Sequence, residues 1–129
     1  MKRRFYFLSI FLLLISILRC NNQVNLKTEE KLIIKKLTEQ KGQYDAIKEI
    51  TDKEEIITFF TILKNACWKK VSDKSRYPDF YINDKYAIWI TSNKRIRVKI
   101  EDISKDTLLP ENDSNILYEI ITDEKLSEK

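Results

Sequence analysis

Residues 86–100 read YAIWITSNKRIRVKI, and they decide the fold because two alternating segments flank a short polar stretch. In 95–100 every second residue is apolar and the others are Arg or Lys, which is typical of a strand with one buried face. A three-residue loop over 92–94 puts the apolar residues of both segments on one face, whereas a two-residue loop would bury the cations. The sequence therefore predicts an antiparallel hairpin in the first register. Its predicted core residues are Tyr86, Ile88, Ile90, Ile96, Val98 and Ile100.

The opposite face of this hairpin is the candidate partner-binding patch. In the same register Trp89 lies across from Arg97, and an exposed cation–π contact is worth about 0.5–1 kcal/mol. A partly solvated aromatic and cationic face is a common kind of binding surface. The alternative is that the stems of the cations cover Trp89 and that this face has no partner. The patch residues are Tyr81, Trp89, Arg95, Arg97 and Lys99.

The stretch TDKEEIITFFTILKNAC, residues 51–67, predicts an amphipathic helix over about 53–66. Thr51 and Glu54 have the spacing of a capping box, and acidic residues fill the first turn, where they suit the helix dipole. Apolar residues then recur at spacings of three and four, so one face is buried. The predicted buried stripe is Ile56, Phe60, Leu63 and Cys67.

The remaining segments complete the fold class. Apolar runs at 31–37 and 46–50 flank the loop that contains Gly42 and predict a hairpin. A further strand is expected over 79–83, and a short helix after Pro110. The order predicts an α+β fold: a small, mostly antiparallel sheet with two helices packed on one face, in a single domain over 30–126.

The N-terminus has the layout of an export signal. Three cations at 2–4 precede a 14-residue apolar run over 5–18, which is shorter than the roughly 20 residues of a spanning helix. Cys20 directly after this run resembles the lipid-attachment cysteine of bacterial lipoproteins, which predicts a lipoprotein-type signal helix over 1–19. Arg19 stands where that pattern has a small residue, so an uncleaved signal anchor and ordinary secretion remain alternatives. Polar residues 20–29 predict a tether between membrane and domain.

Charge argues against a nucleic-acid partner. The chain has 24 basic and 20 acidic residues, but four of the basic residues precede Cys20, which leaves a mature chain with no net charge. The bulk attraction that nucleic-acid binding requires is therefore missing. If Cys20 carries a lipid, Cys67 has no partner, and we expect it to be a small core residue.

The residue types of the chain disfavour an enzyme. It has no histidine, which is the commonest general base and metal ligand, and its single glycine cannot form a phosphate-binding loop. Carboxylates are numerous, but their spacing singles out no catalytic pair. We therefore expect no catalytic residues, no metal and no cofactor.

Several short motifs resemble a known family. The segment ITDKEEI at 50–56 opens the predicted helix, Pro78-Asp79-Phe80 precedes a strand, and Tyr86 and Trp89 follow in the next one. In these features residues 44–122 resemble small lipoproteins of Gram-positive bacteria with a YhfM-like domain. The resemblance implies this fold and a lipid-anchored place outside the cytoplasm. It implies no mechanism, because no activity is settled for that family.

Together these observations predict a lipoprotein, anchored in the cell membrane through Cys20 and facing outside the cytoplasm. Its expected role is that of a protein-interaction module whose partner is another envelope protein or an incoming toxin. The alternative is a small-ligand-binding envelope lipoprotein, which requires a concave pocket with convergent polar groups. A purely structural envelope role is the third hypothesis.

Overall fold

The computed structural model describes residues 22–71 and 76–126, in which seven strands form one antiparallel sheet and two helices pack on one face. The strands are β1 (Leu32–Leu37), β2 (Tyr44–Ile50), β3 (Lys69–Lys70), β4 (Phe80–Ile82), β5 (Tyr86–Ile90), β6 (Ile96–Ile100) and β7 (Lys105–Leu108), and the helices are α1 (Lys53–Asn65) and α2 (Glu111–Thr122). The spatial order of the strands is β2-β1-β4-β5-β6-β7-β3. The predicted α+β fold is confirmed. The predicted signal helix over 1–19 lies outside the described residues.

The β5–β6 hairpin has the predicted register. Trp89 pairs with Arg97 and Ile88 with Val98, and the Thr91 amide donates to the Arg95 carbonyl at 2.8 Å to close the three-residue loop. Lys94 ends this loop in the left-handed region, with φ of 59°, as such loops require. Five of the six predicted core residues are at most 1% exposed, and Ile90 is partly buried against the same core.

Two strands of the sheet were not predicted. Strand β7 has the sequence KDTL and β3 is a pair of lysines, so neither has the alternation or the β-branched content that marks a strand. They form because β6 offers an unpaired edge: β7 pairs with β6, and β3 then pairs with β7. Tertiary pairing outweighs a weak local preference at both positions.

Helix α1 connects the two edges of the sheet, since it follows β2 and precedes β3. The edge strands β2 and β3 are six strand spacings apart, or about 29 Å. The 13-residue helix and its flanking residues are long enough to cover that distance. Phe59 and Phe60 of α1 both contact the ring of Tyr86 edge to face, with centroid distances of 5.5 and 6.1 Å. The predicted capping box is wrong: Asp52 precedes the helix, and no side chain caps it.

Residues 22–30, which we call the N-terminal strap, run back along the domain. The Trp68 amide donates to the Asn22 carbonyl at 3.1 Å, and Lys64 of α1 donates to the Thr28 hydroxyl at 3.2 Å. Leu26 is 7% exposed within the core cluster, and Val24 packs against that cluster. The stretch 20–29 was expected to be a tether, but within the described part of it Val24, Leu26 and Thr28 contact the domain. The two apolar side chains are two residues apart, so an extended chain presents both to the core.

Cys67 also differs from expectation. It was expected to be an unpaired core residue, but it is disulfide-bonded and only partly buried. It lies between the end of α1 and Trp68, beside the hydrogen bond that holds Asn22.

Candidate interaction surface

Trp89 is buried and does not form part of an exposed patch. Its side chain is 6% exposed, and its indole N–H donates to the carbonyl of Arg76 at 3.1 Å. The chain before β4 therefore passes over this part of the back of the sheet, meaning the face opposite the helices. The expected exposure of Trp89 is wrong, because strand parity identifies the back of the sheet but not what crosses it.

The covering segment, residues 76–79, is fixed to β5 by several hydrogen bonds. The Asp79 carboxylate accepts from the Ile90 amide at 2.6 Å, while its own amide donates to the Ile88 carbonyl at 2.7 Å. The Arg76 guanidinium donates to the Ile90 carbonyl at 2.6 Å and lies 3.3 Å from the Asp79 carboxylate. Charge-assisted bonds of this kind are stronger than neutral ones, so the segment is a fixed part of the surface.

The four other predicted patch residues are partly exposed. Arg97 lies 3.6 Å from Asp106, Lys99 lies 3.4 Å from Glu101, and the Arg95 guanidinium donates to the Leu109 carbonyl at 2.9 Å. In the described part of the chain, a cation–π contact occurs between Lys85 and the Tyr86 ring at 5.6 Å, not at Trp89. Arg97 and Lys99 are thus paired with carboxylates, and Arg95 bonds a backbone carbonyl, so these cations do not form a continuous unpaired stripe.

Three tyrosines form an aromatic surface, and only one of them, Tyr81, was a predicted patch residue. We call Tyr44, Tyr77 and Tyr81 the tyrosine cluster. The rings of Tyr44 and Tyr81 meet edge to face at 4.8 Å, and the Tyr44 hydroxyl donates to the Pro78 carbonyl at 2.7 Å. Tyr77 is 52% exposed, and its ring lies against the loop at Gly42, where a Cβ would be 3.4 Å away. The cluster joins β2, β4 and the covering segment.

Burial raises the pKa of Tyr44 to about 12, with smaller contributions from Tyr81, Asp79 and Tyr77. Burial, followed by the nearby Glu101 carboxylate, also raises the pKa of Tyr81. Both phenols are therefore neutral hydrogen-bonding groups at physiological pH. Sequence reasoning selected Tyr81 from its strand parity, but it missed Tyr44 and Tyr77. The only available signal for them was their position beside the Gly42 loop and Pro78.

A groove at the end of the molecule is the second candidate site. Its volume is about 620 Å³, and it lies between β1, β2 and the end of α2. Phe80, Tyr118 and Ile121 line its apolar part. Its polar groups are largely engaged with each other, since Lys48 lies 2.9 Å from both the Ile120 carbonyl and the Asp123 carboxylate.

A more open groove of about 860 Å³ lies between the strap and the β4–β5 turn. The Asn83 side chain accepts from the Ile33 amide at 2.7 Å and donates to the Lys31 carbonyl at 3.0 Å. Lys35 is paired with Asp84 at 2.8 Å. These groups maintain the turn and the start of β1, so they are engaged in structural contacts.

Among the described residues, Tyr86 has the most strongly raised pKa, and it belongs to the core. Its side chain is fully buried, and its hydroxyl has no hydrogen-bond partner among the described residues, as is also true of the Glu29 Oε2 atom. Burial, and then the nearby Glu29 and Asp102 carboxylates, raises the pKa of Tyr86 far above its usual range. It therefore remains neutral, and its enclosure beneath Phe59 and Phe60 gives no access to a substrate.

Neither metal binding nor membrane spanning is indicated within the described ranges, 22–71 and 76–126. They contain no group of three or more potential ligand side chains placed to hold a metal. Nor does any helix there have the length and apolar character needed to cross a membrane. The proposed lipid-attachment residue Cys20 lies outside these ranges.

Comparison with known proteins adds no relative. The chain matches no family model, and no curated protein or solved structure matches it significantly. The resemblance to YhfM-like lipoproteins therefore stays a hypothesis that depends on the short motifs described above.

Proposed function

We propose that this protein is exported and acts outside the cytoplasm, at the membrane, as a protein-interaction module. Cations at 2–4 followed by an apolar run support export. The disulfide at Cys67 supports it independently, because disulfides persist mainly in oxidising compartments. The resemblance to YhfM-like lipoproteins agrees with this location. Membrane attachment is through the apolar run itself or through a lipid on Cys20.

The tyrosine cluster is the interaction surface in this proposal, and the 52% exposure of Tyr77 is the observation that carries it. Tyrosine is enriched at interfaces because its ring supplies contact area at a small entropic cost and its hydroxyl still bonds water or a partner. Here the rings of Tyr44 and Tyr81 pack on each other, the Tyr44 hydroxyl bonds Pro78, and the Tyr77 ring lies against the Gly42 loop. Little order therefore has to be gained on binding. The other predicted patch residues, Arg95, Arg97 and Lys99, then form the rim beside the cluster. An envelope protein or an incoming toxin is the proposed partner.

Photo-crosslinking tests this surface in intact cells. A photoreactive phenylalanine analogue replaces Tyr77, and a matched variant carries it at Ile57, which is 58% exposed on α1. We expect a discrete cross-linked product from position 77, absent from position 57. With the purified partner, Tyr77→Ala should weaken binding at least about 30-fold, the loss typical of an interface hot spot. Equal products from both positions, or unchanged affinity, would contradict the proposal.

The groove between β2 and α2 gives the second candidate function, binding of a small ligand. Its volume of about 620 Å³ is within the range of ligand pockets, and it has an apolar wall with polar groups at its margin. Ile47 lines the groove and is 49% exposed, so Ile47→Trp should obstruct it with little effect on the core. A binding activity that is lost in Ile47→Trp and retained in Tyr77→Ala would favour this function over the first.

A further inference from the structure

The disulfide of Cys67 has a consequence for the N-terminus. The chain contains two cysteines, so Cys20 is the only possible partner for Cys67 within one molecule. We infer that Cys67 is bonded to Cys20, and that this bond occupies the sulfur to which a lipid would be attached. The inference depends on the export part of the proposed function, because the bond needs an oxidising compartment. Cys20 itself lies outside the described residues.

The position of the strap supports this pairing. Asn22 is two residues after Cys20, Trp68 directly follows Cys67, and the Trp68 amide donates to the Asn22 carbonyl at 3.1 Å. Two residues of chain reach about 7 Å at most, and the Cα atoms of a disulfide are usually about 4.4–6.8 Å apart. From the position of Asn22, a chain of two residues is therefore long enough for Cys20 to reach Cys67.

Other contacts also hold the strap against the domain, so its position near Trp68 does not depend on the Asn22 hydrogen bond alone. Leu26 is buried in the core, Val24 packs beside it, and Lys64 of α1 donates to the Thr28 hydroxyl. Thr28 and Asn22 thus both contact the chain near the end of α1, which leads into Cys67. A flexible tether leading to a lipid anchor would not need these contacts.

The two modifications of Cys20 exclude each other. Formation of the disulfide converts two thiols into one S–S bond, and the two electrons and two protons pass to the disulfide of a thiol–disulfide oxidase, which becomes a dithiol. Lipid transfer instead forms a thioether on the Cys20 sulfur, after which that sulfur can no longer enter a disulfide. Arg19 is consistent with the first outcome, because it occupies the small-residue position of a lipoprotein signal.

In this form the domain is joined closely to the preceding apolar run. A bond at Cys20 leaves one residue, Arg19, between the bonded position and the apolar run over 5–18. An uncleaved run over 5–18 then serves as the membrane anchor, and a cleaved one leaves a soluble exported domain. Both forms are compatible with the proposed interaction surface.

Intact-mass analysis of the full-length chain, expressed in a Gram-positive host, tests the pairing. Thiols are blocked with N-ethylmaleimide before lysis, and membrane and medium fractions are analysed with and without reduction. We expect no maleimide on the unreduced protein, two after reduction, and a non-reduced peptide that links Cys20 to Cys67. A chain that begins at Cys20 and carries a diacylglyceryl group and one maleimide on Cys67 would overturn the inference, as would a Cys67–Cys67 dimer.

Serine variants provide a second readout. If the two residues are partners, Cys20→Ser, Cys67→Ser and the double variant should lower Tm equally, by roughly 10–25 °C for loss of a typical disulfide. An unchanged Tm in Cys20→Ser would contradict the pairing even if Cys67→Ser were destabilised.

Protease access in intact cells separates this inference from the proposed function. An exported but lipidated protein would refute the inference and leave the proposed function intact. A protein that remains protected in the cytoplasm with two free thiols would refute both.

Discussion

Asp79 shows how one residue decides which part of the surface is available. Its amide donates to the Ile88 carbonyl at 2.7 Å and its carboxylate accepts from the Ile90 amide at 2.6 Å, so it extends β4 by one position. These hydrogen bonds keep residues 76–79 over Trp89, and the Arg76 carbonyl accepts from the Trp89 indole N–H. An aromatic side chain that looks like a binding residue is thereby buried, and Tyr77 is left exposed in its place.

The raised pKa of Tyr44 predicts how the stability of the fold changes at alkaline pH. Its pKa is raised to about 12, above the ordinary value of 10, so the folded state binds the phenolic proton more tightly than the unfolded state. The stabilisation is complete below pH 10 and is lost as pH rises from 10 to about 12. We expect urea midpoints to fall less steeply across this window in Tyr44→Phe than in the wild type.

Ser92→Ala is the control, because Ser92 is exposed in the turn before β6 and carries no titrating group. It should retain the wild-type slope. Identical slopes for Tyr44→Phe and the wild type would show that the Tyr44 hydroxyl does not couple folding to pH.

A buried hydroxyl links the first turn of helix α2 to the sheet. Ser114 is fully buried, and its Oγ accepts from the Ile96 amide at 2.9 Å and donates to the Leu109 carbonyl at 3.2 Å. Strand β7 ends at Leu108, so the side chain takes over the pairing of β6 at the point where the strand stops. The hydroxyl thus fixes the first turn of α2 relative to the β5–β6 hairpin.

Ser114→Ala tests this attachment. The substitution leaves the buried Ile96 amide without its acceptor, so we expect a loss of about 1–3 kcal/mol in the free energy of unfolding. Urea denaturation of the purified domain measures it. Ser92→Ala, in the exposed turn before β6, should change stability by no more than about 0.5 kcal/mol. A similar change in both variants would rule out a special role for the Ser114 hydroxyl.

At the scale of the whole molecule, two segments cross the core in opposite directions. Helix α1 leads from the β2 edge to the β3 edge, and the strap leads from Trp68, next to β3, back to the start of β1. The strap covers one margin of the core with Leu26, which belongs to the same cluster as the helix and sheet residues. The packed part of the chain therefore includes residues 22–30, which precede β1.

Leu26→Ala measures the contribution of the strap. Truncation of a buried leucine costs about 2–5 kcal/mol, partly through the cavity that remains. We expect a loss in this range by urea denaturation, together with faster amide exchange at Trp68, which donates to Asn22. The matched control is Ile57→Ala, because Ile57 is 58% exposed and should contribute little. A loss no greater than that of the control would mean that the strap does not stabilise the domain.

The sequence alone determined the centre of the sheet and the face of α1. Ile96, Val98 and Ile100 alternate with cations, and only one loop length keeps those cations out of the core, so the pattern specifies both the register and the buried face. The four-and-three spacing of Ile56, Phe60 and Leu63 specifies the buried stripe of the helix. In each case the information lies within a few neighbouring residues, because a strand or a helix converts spacing directly into direction.

Only the tertiary structure decided what lies over each face. Trp89 is covered by residues 76–79, β7 forms at the edge of β6, and the strap packs beside α1. These outcomes depend on contacts between segments that are distant along the chain. The hydrophobic periodicity of one segment does not predict such contacts. The segments that cross a face, and not the strand alone, decide which of its side chains are exposed. The candidate surface is therefore the tyrosine cluster and not Trp89.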